Sequence, residues 1–202
     1  MAECIIVGSG SVYRPICPNF NDFIIAADGG YDHLKKMGIT PHLIVGDLDS
    51  IECVPEGVEI IRYDKEKDET DMHLAYLEGA KRGYKKFHVY GGTGGTPDHT
   101  FANYCLLLYA SKNGHRMYLY GDTGTAMALY NESINLWAEP GKRASIFAFG
   151  GIAEDVTVEC LKYECRGATL TPDFPLGVSN EFTGREATVS VGRGALLLWL
   201  EH

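Results

Sequence analysis

Between Cys4 and Tyr120 the apolar residues fall into short unbroken runs: CIIV, FIIAAD, HLIVGD, VEIIRY, KFHVYG and RMYLYG. Runs of that length, bounded by glycine or charge, read as strands. Longer stretches of helical period lie between several of them. YDHLKKMG stops at Gly38, DMHLAYLEGAKRG has Thr70 as N-cap and Gly83 as C-cap, and TFANYCLLLYASKNG ends at Gly114. Strands alternating with helices predict an α/β domain with a doubly wound, mainly parallel sheet over residues 1–124.

The pattern changes near residue 122. TAMALY, SINLWA, ASIFAFG, DVTVEC, TVSVGRG and ALLLWL follow at close spacing, with turn residues between them and no helical period. They predict a small all-β sandwich over residues 125–202. No internal repeat and no low-complexity linker interrupts the chain.

Composition narrows the function. The 202 residues, 45% hydrophobic and 22% charged, suit one large or two small globular domains. A formal net charge of -9 disfavours nucleic acid or anionic lipid as a partner. No apolar run approaches the roughly 20 residues of a membrane span. MAECIIVGSG has no basic segment before its apolar run, so it reads as a first strand and not a signal peptide. The six cysteines form no C-x-x-C pair and read as free thiols of a cytoplasmic protein. Leu200, Glu201 and His202 read as the stub of an expression tag and are given no function.

The chemistry collects at strand ends, where open α/β sheets bind their ligands. The second strand ends in Asp28-Gly29-Gly30, and the third in Asp47 and Asp49. After the fourth comes YDKEKDETD, which leads through Thr70 and Asp71 into a helix. Carboxylates from several strand ends along one edge point to a hard cation such as Mg²⁺ with a phosphate-bearing ligand. A divalent ion also relieves the repulsion between Asp47 and Asp49. Taken singly, Asp28 reads as a turn residue, Thr70 as an N-cap and Asp71 as a complement to the helix dipole; the metal reading rests on the set. Asp64, Lys65, Glu66, Lys67 and Glu69 read as a solvated loop.

Gly91-Gly92-Thr93-Gly94-Gly95 joins a strand to a helix and lets backbone N–H groups approach a phosphate or nucleoside. It is not a Walker A loop, since no Lys-Ser/Thr pair follows. Gly8-Ser9-Gly10 is either a plain βα turn or a nucleotide contact; Tyr13 stands where a dinucleotide fingerprint needs its third glycine. His33 and His42 read as surface-turn residues. His99, beside Asp98, either opens a helix or faces the site.

Together AADGG, GDLDS, ETD, GGTGGTPDHTFANYCLL and GVSNEF, in this order and spacing, resemble the thiamine pyrophosphokinase family over nearly the whole chain. The resemblance implies a Rossmann-like α/β domain followed by a β-sandwich, assembled as a homodimer in which the second domain of one subunit closes the site of the other. It implies transfer of the pyrophosphoryl group of ATP to the hydroxyl of thiamine, with release of AMP. The thiamine oxygen attacks the β-phosphorus in line, and Asp71 or Asp98 accepts its proton. By the same resemblance Asp28, Asp47, Asp49, Thr70 and Asp71 hold magnesium. Asp28 to Gly30 and Gly91 to Gly95 bind ATP. Ser179, Asn180 and Phe182 contact thiamine, Phe182 being otherwise a core residue. One departure stands out: the family loop commonly reads GGRLDH, whereas Thr96 and Pro97 precede Asp98 here. Arg14, Lys67 or Arg82 could replace the missing arginine at a phosphate. A haloacid-dehalogenase-type phosphatase is the rival from another reaction class, since Asp47-Leu48-Asp49 imitates its nucleophile motif. Ile51 stands where that motif needs Thr or Val, and the rival does not predict Asp28-Gly29-Gly30. A binding protein without catalysis on the same fold is the third reading.

Overall fold

The computed structural model describes residues 2–48 and 56–202. The chain forms two compact units. The first comprises Met1–Leu106 and His115–Asp122; the second comprises Leu107–Gly114 and Thr123–His202.

The first unit carries β1 (Cys4–Val7), β2 (Phe23–Ala27), α1 (Gly30–Lys36), β3 (Leu43–Gly46), β4 (Glu59–Arg62), α2 (Asp71–Lys81), β5 (Lys86–Tyr90), α3 (Pro97–Lys112, whose last residues count with the second unit) and β6 (Arg116–Tyr120). The strands lie in the order β6-β5-β1-β2-β3-β4 and every neighbouring pair is parallel. The central strands β1, β2 and β3 are buried almost throughout, which is why they are written as continuous apolar runs. Successive residues serve opposite faces. Ile5 and Val7 join Tyr31 and Leu34 of α1 in one cluster. On the other face α2 lies close, since a Cβ on Gly79 would meet Phe87, Cys4 and Ile25.

Two expectations change. The third helix begins at Pro97 and not at Thr100, because proline fits the first turn of a helix, where its missing N–H costs nothing. No helix follows β1: the next element is β2, so the βα-turn reading of Gly8-Ser9-Gly10 fails.

The second unit holds β7 (Gly124–Tyr130), β8 (Ser133–Leu136), β9 (Arg143–Ala148), β10 (Ala153–Glu159), β11 (Cys165–Leu170), β12 (Gly177–Glu181), β13 (Ala187–Arg193) and β14 (Ala195–Glu201). They form two antiparallel groups, β12-β9-β14-β7 and β11-β10-β13-β8. Inward residues alternate along the strands, with Ala187, Val189 and Val191 of β13 facing in. Leu200 and Glu201, read from the sequence as a tag remnant, belong to β14. Leu200 pairs with Ala144, and Glu201 forms a 3.3 Å ion pair with Arg143.

Candidate active site

The strand order reverses between β1 and β5. From β1 the chain steps outward to β4, then returns to place β5 and β6 on the other side. A crevice opens beyond the carboxyl ends of the strands at such a switch point. Two glycine loops meet there. The Gly10 N–H donates to the Gly91 carbonyl at 2.8 Å and the Ser11 N–H to the Thr93 carbonyl at 2.8 Å. No side chain fits between them: a Cβ on Gly10 would lie 2.4 Å from the Thr93 carbonyl oxygen, and one on Gly91 (φ 62°) 2.3 Å from that of Gly8.

Next to these loops lies a cavity of about 470 Å³. Gly8, Ser9, Gly10, Gly91, Gly92 and Gly95 line it from the loops, and Asp28 and Asp47 from the ends of β2 and β3. Lys65, Lys67, Glu69, Thr70 and Asp71 line it from the approach to α2. His99, Thr100 and Asn103 complete it from α3; Asn103, 8% exposed, donates to the Gly92 carbonyl at 2.7 Å and pins the loop to the helix.

The predicted residues divide here. Asp28, Asp47, Thr70, Asp71, Gly91, Gly92 and Gly95 come together on the cavity, while Gly29, Gly30, Thr93, Gly94 and Asp98 are not among its walls. Asp49 lies outside the described residues. Gly30 opens α1 so tightly against β1 that a Cβ would sit 1.8 Å from the Val7 carbonyl oxygen. Asp98 is exposed; its carboxylate accepts the Thr96 hydroxyl and, at 2.9 Å, the His99 N–H. These bonds, the Thr96 hydroxyl first, hold its carboxyl below the ordinary range. Thr70 caps α2 through its hydroxyl, which accepts the His73 N–H at 3.2 Å.

Two backbone positions at the site are left-handed without being glycine: Asp28 at φ 44° and Leu48, directly after Asp47, at φ 61°. Such conformations cost on the order of 1–3 kcal/mol and collect where function requires them.

The charged lining is uneven. Four carboxylates (Asp28, Asp47, Glu69 and Asp71) face two ammonium groups, Lys65 and Lys67. Lys67 is not a solvated loop residue as its sequence suggests. Its side chain is 15% exposed and its ammonium lies 2.8 Å from Asp71 Oδ1, an atom shielded from solvent. The other cations considered for the phosphate are engaged elsewhere: Arg14 covers the Tyr120 ring at 5.0 Å, and Arg82 pairs with Glu78 and Glu59. Among the described residues no three Asp, Glu, His or Cys side chains close around one point. The donor set nonetheless suits a hard cation. It is all carboxylate, and a polyphosphate entering a cavity of net negative lining needs a cation with it.

In the second unit Ser179 is exposed at φ 59°, and its N–H donates to Ser145 Oγ at 3.1 Å. Asn180 is 6% exposed and fully used. Its Oδ1 accepts the N–H groups of Tyr163 and Glu181, each at 2.9 Å, and its Nδ2 donates to the Tyr163 carbonyl at 2.7 Å. Phe182, 3% exposed, sits in the core and bridges to Leu161. Tyr163, 62% exposed, is clamped through its backbone by Asn180. Nothing in LKYEC ties that tyrosine to a residue near position 180.

Two family models match the chain. One, described as Thiamin pyrophosphokinase, catalytic domain, covers residues 18–119; the other, Thiamin pyrophosphokinase, vitamin B1 binding domain, covers residues 133–196. The chain belongs to the thiamin pyrophosphokinase family. A curated relative, thiamine pyrophosphokinase of Bacillus subtilis (strain 168), is 26% identical over 183 residues, covering 86% of this chain and 85% of its own. The crystal structure of thiamine pyrophosphokinase from Bacillus subtilis superposes with a TM-score of 0.89 at 22% identity, over 98% of each chain. That of a thiamin pyrophosphokinase family protein from Enterococcus faecalis superposes with a TM-score of 0.87 at 25% identity, over 100% of this chain and 99% of that one. The protein is therefore a diphosphotransferase that moves pyrophosphate from ATP to the hydroxyl of thiamine, giving thiamine diphosphate and AMP. Thiamine and a nucleotide are its substrates, and kinase chemistry of this kind generally employs a metal ion. The phosphatase and binding-protein readings end here.

Proposed function

We propose that the cavity of the first unit binds ATP together with Mg²⁺ and is where the pyrophosphoryl group is transferred. The observation that carries this reading is the meeting of Asp28, Asp47 and Asp71 with two glycine loops in one cavity at the switch point. Asp28, Asp47 and Asp71, with Asp49 beside them in sequence and the second lone pair of Thr70, would hold the cation. Bound there, Mg²⁺ supplies charge neutralisation to the phosphate oxygens. Gly8, Ser9, Gly10, Gly91, Gly92 and Gly95 approach the nucleotide through backbone. The thiamine hydroxyl oxygen forms a bond to the β-phosphorus while the bond from the β-phosphorus to the oxygen it shares with the α-phosphorus breaks, and that oxygen leaves on AMP. Asp71, which lines the cavity as Asp98 does not, takes the hydroxyl proton. A loose transition state makes positioning the larger contribution.

Residues 1–124 act in this reading as the nucleotide, metal and catalytic domain, and residues 125–202 as the thiamine-binding and dimerisation domain. Ser179 and the Tyr163 ring contact thiamine, whose flat pyrimidine and cationic thiazolium both suit an aromatic face. Asn180 and Phe182 hold that surface in shape. The assembly is a homodimer, supported by Phe174, Leu176 and Val178, which stand 65%, 66% and 55% exposed along the edge strand β12 and its approach. The enzyme works in the cytoplasm, a reading supported by the free thiols of Cys4, Cys17, Cys105, Cys160 and Cys165.

Removal of divalent ions with a chelator should abolish AMP formation, and added Mg²⁺ should restore it. Turnover that survives chelation would refute the metal reading. Sedimentation should give a dimer. Mixing subunits of two inactive variants, Asp71→Asn and Ser179→Ala with Tyr163→Ala, should return part of the activity if sites are shared between chains. No return, with heterodimers present, would mean that each site belongs to one chain.

A further inference from the structure

We propose that Lys67 is a positioning cation of the transfer site with two stations: the Asp71 carboxylate while the cavity is empty, and the phosphate chain of the nucleotide once a divalent cation takes Asp71. The proposal rests on the reading above that Asp71 is a ligand of that cation.

Several observations converge on Lys67. Its ammonium lies 2.8 Å from Asp71 Oδ1, an oxygen shielded from solvent, so a positive charge already stands where the carboxylate would meet a metal. Its side chain is only 15% exposed, low for a lysine outside regular structure. Both partners line the cavity. Thr96 precedes α3 and Pro97 opens it, so no arginine comes from there. Arg14 lies over Tyr120 and Arg82 is bound by Glu59 and Glu78. Lys65 and Lys67 are thus the ammonium groups on this cavity among the described residues.

Charge then dictates the exchange. A divalent cation arriving at Asp71 would face an ammonium at hydrogen-bond distance from its ligand oxygen, and like charges that close repel strongly in a partly buried site. An ammonium on a flexible four-carbon stem can leave without breaking a planar, bidentate pairing, and its three donors suit a phosphate oxygen as well as a carboxylate. The nucleotide brings that phosphate to the same cavity. Lys67 therefore opposes metal loading in the empty enzyme and supports nucleotide binding in the loaded one.

The two roles move two affinities in opposite directions, which a purely structural lysine would not do. Binding of Mn²⁺ to the full-length protein without nucleotide is followed by electron paramagnetic resonance of the free ion. Binding of an α,β-methylene analogue of ATP, whose transferring bond cannot break, is followed by calorimetry at saturating Mg²⁺. Lys67→Met keeps the aliphatic stem; it should bind Mn²⁺ about tenfold more tightly and the analogue about tenfold more weakly. Lys67→Arg should lie near the parent in both. Lys67→Gln should repeat the Met result if Met disturbs the loop. Mn²⁺ affinity unchanged or weakened in both Lys67→Met and Lys67→Gln, while Asp71→Asn loses the ion, would overturn the two-station role alone. Mn²⁺ affinity unchanged in Asp71→Asn would remove the Asp71 reading and the proposal with it.

Discussion

The two ends of α2 carry ion pairs of the same spacing and opposite character. At the C-terminal end Glu78, its side chain 8% exposed, accepts from Arg82 and from the Tyr63 hydroxyl at 3.3 Å. Arg82 also donates to Glu59 at 2.6 Å and to the Glu78 carbonyl at 3.0 Å, and it lies over the Phe23 ring. Burial would raise the Glu78 carboxyl, but the Arg82 bond and the neighbouring cations overcome it and hold the group below the ordinary range. At the N-terminal end Asp71 meets Lys67 at 2.8 Å, on the wall of a cavity. The first pair is tied to Tyr63, Glu59 and the Phe23 ring and belongs to the fold. The second lines the cavity that a ligand would enter, so it can exchange partners. Saturation, not the presence of a salt bridge, separates structural charge from functional charge here.

The sharpest way to break this comparison is to neutralise one acid at each end. Asp71→Asn should lower kcat roughly a thousandfold and leave urea stability close to the parent. Glu78→Gln should cost about 2–3 kcal/mol of stability, because Arg82 then loses its buried partner, and leave kcat near the parent. Steady-state kinetics beside urea titrations read both. Loss of stability in Asp71→Asn without loss of turnover would reverse the assignment.

The glycine loop repeats the contrast between filled and open positions. A Cβ on Gly92 would meet Leu119 at 2.5 Å, while one on Gly95 has nothing within 4 Å and faces the cavity. Gly92→Val should therefore destabilise the fold by about 1–3 kcal/mol through overpacking. Gly95→Val should keep the melting temperature and weaken nucleotide binding about tenfold, thiamine binding less. Equal loss of both ligands in Gly95→Val would count against the nucleotide reading of this loop.

Acid should weaken the fold through the Glu78 pair. Because the folded Glu78 carboxyl is depressed, its stabilisation is complete above the unfolded value of about 4.3. It is lost as pH falls through the lower, folded value. Asp22 adds a loss of the same sign. Burial raises its carboxyl, but hydrogen bonds from the Asn19 and Glu3 N–H groups and the Asn19 side chain bring it below the ordinary range. Urea midpoints followed down from pH 6 should fall in the parent and fall less steeply in Glu78→Gln. The smallest effect concerns the cap: Thr70→Ala should cost about 1 kcal/mol, and Thr70→Ser should restore it. An activity loss much beyond that cost would give the Thr70 oxygen a second role at the cavity.

Much of this arrangement was legible in the residues. The apolar runs marked β1 to β6; those of β1, β2 and β3 are continuous because these central parallel strands are buried on both faces. Asp28, Asp47 and Asp71 were legible as a set because strand ends in such sheets share one edge. Strands β11 and β12 were not: CRGATL and GVSNE are mostly exposed edge segments whose pairing is held by backbone bonds. Lys67 was legible as one of three cations that could meet a phosphate, but a charge run does not reveal which of its members turns towards the helix start. The side chain of Phe182 lies in the core, the alternative the sequence had left open, and the polar Asn180 beside it is also buried and orders the Tyr163 loop.

The central claim is that transfer happens at the open, N-terminal end of α2. Phosphorus-31 NMR of ATP, thiamine and Mg²⁺ with the parent enzyme and with Asp71→Asn tests it most directly. The account predicts AMP and thiamine diphosphate in equal amounts from the parent and neither from the folded variant. Undiminished thiamine diphosphate from Asp71→Asn, or ADP with thiamine monophosphate from the parent, would contradict it.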